Sequence, residues 1–446
     1  HPAVPASVRR TRLGPCRAGT ILVRFSLQQS RGSLAADPKG PEETAAMEHL
    51  EVCPICREQG LPLYRGLTDA IYGAPGQYHF SRCPRCRLIW LENRPDERVR
   101  LISYEHYYTH APSSEAPSHS PGRRFGSFRD TLRTAILCGH FGYRNGHCDH
   151  RFCLLGAWLA RVRFLRLRAP YDDLAERFPV FSDRPDNLLV DVGCGRGDFL
   201  VRMKALGWNV LGIEPDSIAS GLARARGIAV FTGRLEEARL ADGIVDQITL
   251  NHVLEHTDDP AGLLRECRRV LRPGGRLVIY TPNAESLGHQ WFGKDWRGLE
   301  PPRHPFVFSP QSLRAMLHAS RLHSFRMTTR PTLAGGIYDD SVRIRRNGTT
   351  PVCHGRRERG RAFFMLMERL LCLAGRERGE EMEGVVFSNT GDARGHPVIT
   401  ADASPQQDRC GLADHRGRRI GAAGLRMQQP SRQRDKKPPV AAGCDR

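Results

Sequence analysis

The chain has 446 residues, more than one ordinary domain holds, and 40% of them are hydrophobic, which supplies a substantial core. Its formal net charge is +19, but arginines carry the excess along the whole length. That balance permits contact with nucleic acid or an anionic membrane and specifies neither. No apolar run reaches the length of a spanning helix: the longest, Phe363 to Ala374, is broken by Glu368 and Arg369. There is also no apolar signal-peptide core at the start, and the expectation is a soluble, cytoplasmic protein. Four of the 14 cysteines form two C-x-x-C pairs and the rest are scattered. This argues for metal binding in a reducing compartment and against a secreted disulfide framework.

Residues 1–46 are rich in Arg, Pro, Gly, Ser and Ala, nearly free of acids before Asp37, and without periodicity. An organellar transit peptide has such a composition; so has sequence translated ahead of a start at Met47, which the position of Met47 just before the first motif favours. The segment is expected to be a disordered or non-native leader. Next come Cys53-Pro-Ile-Cys56 and Cys83-Pro-Arg-Cys86. Each pair suits a knuckle that chelates one metal, and the residues between them suit a hairpin that brings the knuckles together. Four thiolates at about 2.3 Å make a closed, structural Zn2+ site with no open position for catalysis. Zinc knuckles favour glycine after the second cysteine, where this chain has Arg57 and Arg87. Residues 47–110 are therefore read as a zinc-ribbon module. Its aromatic run Tyr104-Glu-His-Tyr-Tyr108 serves either as a stacking surface for nucleic acid or as packing against the next domain; packing is preferred.

Residues 111–180 read as a Ser/Pro-rich linker over 111–126 and then a helical segment in which Arg alternates with Leu, Phe and Ala. His147, Cys148, His150 and Cys153 match no zinc-module spacing, so no second metal is expected there.

The domain that follows, 181–387, is organised by Leu188-Leu-Val-Asp-Val-Gly-Cys-Gly-Arg-Gly-Asp-Phe-Leu200. An apolar run predicts a buried parallel strand, the glycines a tight turn, and Asp198 the start of an amphipathic helix ended by Gly207. Glycines at 193, 195 and 197 give G-x-G-x-G, whereas a dinucleotide fingerprint needs its third glycine at 198, which is aspartate. Asp191 would repel a pyrophosphate and suits a cationic ligand. Asn209 to Glu214 predicts a second strand, and Glu214, 21 residues past Gly193, lies where an acid reaches a ribose diol. Further strands are expected at Ile228–Phe231, Asp246–Asn251, after Pro273-Gly-Gly, at Ser324–Thr329 and at Glu380–Phe387. Asn251, His252 and His256 stand at the fourth strand's carboxyl end, facing the switch point. Trp296-Arg-Gly-Leu-Glu-Pro-Pro-Arg-His304 suits either a lid over a polar acceptor or a surface loop whose charges pair with one another. Residues 388–446 lose apolar periodicity and are expected to be a disordered or non-native tail.

Asp-Val-Gly-Cys-Gly-Arg-Gly resembles the first motif of class I S-adenosylmethionine (AdoMet)-dependent methyltransferases. The Val253-Leu-Glu-His256-Thr-Asp-Asp-Pro260 string resembles a large small-molecule branch of that family, and the ribbon resembles a module attached to a bacterial group within it. The resemblance implies an α/β fold with a doubly wound, mostly parallel, seven-stranded Rossmann-like sheet and a small amino-terminal zinc ribbon. It implies AdoMet held by Asp191 beside the methionine moiety, the loop glycines Gly193, Gly195 and Gly197, Glu214, Leu235 and Glu236 near the adenine, and Asn251. His252, His256 and His304 are the candidate general bases, since neutral imidazole accepts a proton near pH 7.

The leading reading is methyl transfer to a small-molecule or sugar-linked acceptor, with O-, N- and C-methylation all open. A second makes the acceptor RNA, held by the ribbon and the basic surface; nucleic acid is possible but not favoured, because no N/D-P-P-Y/F-type motif follows the fourth strand. A third is a non-catalytic zinc-ribbon binding protein, against which the intact Asp191, glycines and Glu214 speak. Oligomeric state is open.

Overall fold

The computed structural model describes residues 50–95, 97–104, 135, 137–139, 141–143, 154, 155, 158, 179–182, 184–350 and 357–388. The leader 1–46, the linker 111–126, the 147–153 Cys/His cluster, most of the helical segment up to 178 and the tail from 389 lie outside the described residues.

The amino-terminal module is a meander of β1 (Leu61–Leu67), β2 (Tyr78–Arg82) and β3 (Ile89–Leu91), followed by α1 (Glu97–Tyr104). The larger part begins with β4 (Leu188–Val192), α2 (Asp198–Ala205), β5 (Asn209–Glu214), α3 (Ser217–Ala225), β6 (Val230–Thr232) and β7 (Val245–Asn251). It continues through α4 (Pro260–Val270), β8 (Leu271–Pro282), α5 (Leu287–Phe292), β9 (Phe306–Val307), α6 (Pro310–Ala319) and β10 (Phe325–Arg330). It ends with α7 (Ala334–Asn347), α8 (Arg361–Leu373) and β11 (Glu381–Phe387).

Local chemistry sets many of these boundaries. Asp216 caps α3 by accepting from the Ala219 N–H, and Asp259 caps α4, with Pro260 preset for the first turn. Ser309 and Ser312 form a reciprocal capping box on α6. The strands β4 and β7 are largely buried on both faces, as helices covering both sides of a parallel sheet require.

Seven strands form one sheet in the order β10-β11-β8-β7-β4-β5-β6. All neighbours from β8 to β6 pair in parallel; β11 runs antiparallel between β8 and β10. Chain order reverses between β4 and β7, so ligands are expected beyond the carboxyl ends of these two strands.

One connection was not legible in the sequence. The two-residue β9, from the loop after β8, pairs with β3 of the ribbon (Ile89↔Val307, Trp90↔Phe306) and completes a second, four-stranded sheet. Trp90, Cys53, Cys83 and Cys86 then share a single apolar cluster with Val190, Ile248 and Leu250 of the large sheet. Ribbon and sheet thus have a common core. Among the described residues no helix is long and apolar enough to cross a membrane. On α8, Phe364 packs against Phe292 and Tyr338, while Phe363, Leu366 and Leu370 are exposed.

Candidate active site

The turn after β4 passes through three left-handed glycines, with φ of 68° at Gly193, 52° at Gly195 and 80° at Gly197. A side chain at Gly193 would begin 2.5 Å from the Val253 methyl, so the position also needs the missing Cβ. The Gly195 N–H donates to Glu214 Oε2 at 2.7 Å, and the Asp216 N–H to Glu214 Oε1 at 3.0 Å. The acid at the end of β5 is therefore held against the glycine turn.

Asp191 is buried and accepts from Thr249 Oγ1 at 2.5 Å. Parallel pairing of β4 with β7 puts these two residues in register. Burial raises the Asp191 pKa to about 7, against the lowering effect of Thr249 and with a further push from Glu214. Asn251, at the end of β7, has a buried Oδ1 without a hydrogen-bond partner. The two residues suggested for the adenine differ in setting: Leu235 is fully packed into the core, whereas Glu236 is exposed.

The three histidines also part company. His252, at φ 55°, bonds to Glu255 Oε1 through Nδ1 (3.1 Å) and to Glu381 Oε1 through Nε2 (2.8 Å). Burial opposes its charge, but the two carboxylates outweigh that and hold its pKa at about 9. With both nitrogens engaged and the ring protonated at neutral pH, His252 has no lone pair with which to act as a base. His256 uses Nδ1 on the Arg303 carbonyl (2.8 Å) and the Tyr104 hydroxyl (3.0 Å). His304 uses Nδ1 on the Gly298 carbonyl (2.9 Å), and burial lowers its pKa to about 4. The rings of His256 and His304 meet edge to face, 4.6 Å apart.

The Trp296–His304 loop is an interior element. Trp296, Leu299, Glu300, Arg303 and His304 are all buried. Glu300 pairs with Arg297 and Arg303, while Arg303 reaches across to Asp69 of the ribbon. The charges of this loop pair with one another, but inside the molecule. On its ribbon side lies a cleft of about 190 Å³ lined by Arg65, Thr68, Lys294, Arg297 and Glu300, with no residue of the glycine turn in its lining.

The four cysteines of the ribbon converge: Cys53 Sγ is 3.5 Å from Cys86 Sγ, Cys56 Sγ 3.2 Å from Cys83 Sγ, and all four lie within 4.8 Å of one another. A tetrahedron with metal–sulfur bonds of about 2.3 Å separates its sulfurs by about 3.8 Å; the donor set therefore fits a four-thiolate metal. Arg57 and Arg87 adopt the left-handed conformation that glycine would supply (φ 61° and 60°), and their N–H groups close onto the carbonyls of Cys53 and Cys83. The knuckle geometry survives the substitution.

Thr249, Glu255 and Glu381 were not singled out as site residues in the sequence, and Tyr104 stood out only as part of an aromatic run. Thr249 had a usable signal, since a polar residue inside an apolar strand, two positions before Asn251, must satisfy its hydroxyl on a neighbour. Glu381 comes from the last strand and is linked to His252 only by the antiparallel insertion of β11.

Residues 160–322 match a family model described as a methyltransferase domain. The chain is similar to a ubiquinone biosynthesis O-methyltransferase of Pseudomonas aeruginosa, 33% identical over 102 residues, covering 21% of this chain and 44% of that protein. It is also similar to a probable S-adenosylmethionine-dependent methyltransferase of Mycolicibacterium smegmatis, 28% identical over 158 residues, covering 35% of this chain and 54% of the relative. The chain thus spans about half the length of these curated relatives. A methyltransferase structure from Archaeoglobus fulgidus aligns with 54% of this chain and 100% of its own at 17% identity and a TM-score of 0.35. The family match over residues 160–322, the doubly wound sheet and the glycine turn at its switch point identify a methyltransferase domain of the class I S-adenosylmethionine-dependent kind, on a Rossmann-like fold with a four-cysteine module before it.

Proposed function

We propose that the chain methylates a small-molecule or sugar-linked acceptor in the cytoplasm, with oxygen as the attacked atom. The observation that carries this reading is the contact between the Gly195 N–H and Glu214 at the mouth of β4 and β5, with buried Asp191 behind it. The names of the Pseudomonas relatives, O-methyltransferases of ubiquinone biosynthesis, support the small-molecule acceptor and the oxygen. Residues 47–110 serve as a zinc ribbon and 181–387 as the methyltransferase domain.

Asp191, Gly193, Gly195, Gly197, Glu214 and Asn251 form the AdoMet site. The cofactor supplies an activated methyl group on a sulfonium, leaving positioning as the protein's main task. The Glu214 carboxylate, at the carboxyl end of β5, suits the two ribose hydroxyls as an acceptor. A cation beside Asp191 restores its negative charge, which burial alone disfavours. The orphaned Asn251 Oδ1 suits a donor such as an amino group. Leu235 contributes a wall through the core, and Glu236 marks the adenine edge. Of the three histidines, only His256 and His304 keep an imidazole lone pair for the acceptor side. Cys53, Cys56, Cys83 and Cys86 hold Zn2+ as a fold-maintaining ion.

Incubation with methyl-labelled AdoMet and fractionated pools of metabolites and of RNA tests the reading. Label should enter a small-molecule fraction, and a hydroxyl-blocked pool should lose it. Label in RNA alone would contradict the proposed acceptor class.

A further inference from the structure

Three lone-pair donors converge just beyond the carboxyl end of β7. Glu255 is completely buried; its Oε1 bonds to His252, and its Oε2 has no hydrogen-bond partner. His256 Nδ1 faces the Arg303 carbonyl at 2.8 Å, with the Tyr104 hydroxyl beside it at 3.0 Å, and His304 Nδ1 faces the Gly298 carbonyl. A carbonyl only accepts, so each ring carries its proton on Nδ1 and leaves Nε2 as a bare acceptor when neutral. One ligand atom from each of Glu255, His256 and His304 lies within 4.8 Å of the other two. His304 Nε2 is 3.7 Å from Glu300 Oε2, which is another acceptor and too far for a hydrogen bond. The buried Glu255 Oε2 is an acceptor left without a donor, and a cation held with the two imidazoles relieves it.

The neighbouring cations are already committed. Arg303 is tied to Asp69 and Glu300, and Arg297 to Glu300. We infer that Glu255, His256 and His304 bind a divalent first-row transition-metal ion, at a site separate from the four cysteines. Two imidazoles and one carboxylate suit zinc, cobalt(II) or iron(II) better than magnesium or calcium. Each imidazole is oriented by its Nδ1–H on a backbone carbonyl, the second bond that fixes tautomer and direction in metal-binding histidines. Three protein ligands leave at least one coordination position for an oxygen ligand.

The site bridges two parts of the fold. Glu255 and His256 lie in the turn leaving β7, two and three residues beyond the Val253 that packs on Gly193, whereas His304 belongs to the loop that joins the ribbon sheet. Where the proposed methyl transfer holds, an acceptor hydroxyl bound to this ion loses its proton to solvent more readily. Its oxygen then forms the new O–C bond as the methyl C–S bond breaks. In that state His256 and His304 serve as ligands and not as free bases.

The test uses the full chain with its four-cysteine site filled by Zn2+, titrated with Co2+ alone. One further equivalent should bind with visible cobalt d–d absorption and without thiolate-to-cobalt charge transfer. Glu255→Gln, His256→Ala and His304→Ala should each weaken that uptake by more than about 100-fold. Co2+ should raise the thermal transition of the parent and leave that of the variants in place. Absence of a further equivalent in the folded parent would overturn the inference, whatever the variants do. So would uptake unchanged in all three variants, or a bound ion with a thiolate spectrum. No methyl acceptor enters this measurement, so a negative result leaves the proposed methyl transfer standing.

Discussion

Arg303 Nη1 and Nη2 donate to Asp69 Oδ2 and Oδ1 at 2.7 and 2.8 Å, with both side chains fully shielded from solvent. This fork joins the loop after β8 to the ribbon, 234 residues earlier. Asp69 also accepts the N–H groups of Ile71, Tyr72 and Ala74, and the guanidinium lies over the Tyr72 ring at 4.4 Å. The geometry satisfies the charge on both sides, which a buried ion pair needs in order to offset desolvation.

Asp69→Asn should therefore destabilise the protein by about 3–5 kcal/mol in chemical denaturation, because it leaves the Arg303 guanidinium buried with its partner neutralised. Burial raises the Asp69 pKa, but the Arg303 and backbone hydrogen bonds outweigh it and bring the folded-state value below the ordinary carboxylate range. Its contribution is thus present above the unfolded pKa and lost as pH falls through the lower folded value. The parent should lose stability below about pH 4, and the variant should lose less over that range. Equal acid sensitivity in the two proteins would count against this assignment.

Asp191 carries the opposite sign. Its folded pKa of about 7 lies above the ordinary 3.8, so its ionisation costs stability increasingly between those values. Asp191→Asn should raise the thermal transition of the ligand-free protein at pH 8 and barely move it at pH 4. The same variant should weaken AdoMet binding by about tenfold or more, through loss of the carboxylate that a cationic ligand restores. A stabilised variant that binds AdoMet as well as the parent would remove Asp191 from the cofactor site.

Much of the large domain was legible because its signals are local. Each of the seven strands of the sheet lies within a few residues of its expected position, and the glycine turn and Glu214 meet as the spacing required. What escaped depends on contacts between distant segments. A two-residue strand such as β9 has no periodicity to read, yet it joins the ribbon to the sheet. The polar loop Trp296–His304 reads by composition as a lid or a surface loop, and it is buried with its charges paired. His252 resembled His256 and His304 as a candidate base until Glu381 placed a second carboxylate on its other nitrogen.

The shared core makes the ribbon's metal a matter of global stability. Trp90 is fully buried in the cluster that holds Cys53, Cys83 and Cys86, and its Nε1–H donates to the Leu50 carbonyl at 2.9 Å. Chelation of zinc should shift Trp90 fluorescence toward the solvent-exposed range and lower the main thermal transition, with no early separate one. Cys53→Ser should reproduce both effects. A metal-stripped protein with unchanged emission and transition would show that the ribbon holds without zinc.

Arg57 offers a gain. It is exposed and occupies φ 61°, a conformation that costs an ordinary residue about 1–2 kcal/mol. Glycine recovers that strain and loses part of it again to unfolded-chain entropy, so Arg57→Gly should stabilise the protein by about 0.5–1 kcal/mol. Thermal denaturation of the zinc-loaded protein measures it. A loss of stability would mean that the Arg57 side chain contributes more than its exposure implies.

Calorimetric titration of the full chain with AdoMet, beside a Gly195→Arg variant, tests the central claim most directly. Gly195 sits at φ 52° with its N–H on Glu214, so a bulky side chain there disturbs both the turn and the acid. The parent should bind one equivalent, and the variant, still folded by circular dichroism, should bind at least about 100-fold more weakly. A folded parent that binds no AdoMet, or a variant that binds it equally, would contradict the placement of the cofactor at this turn.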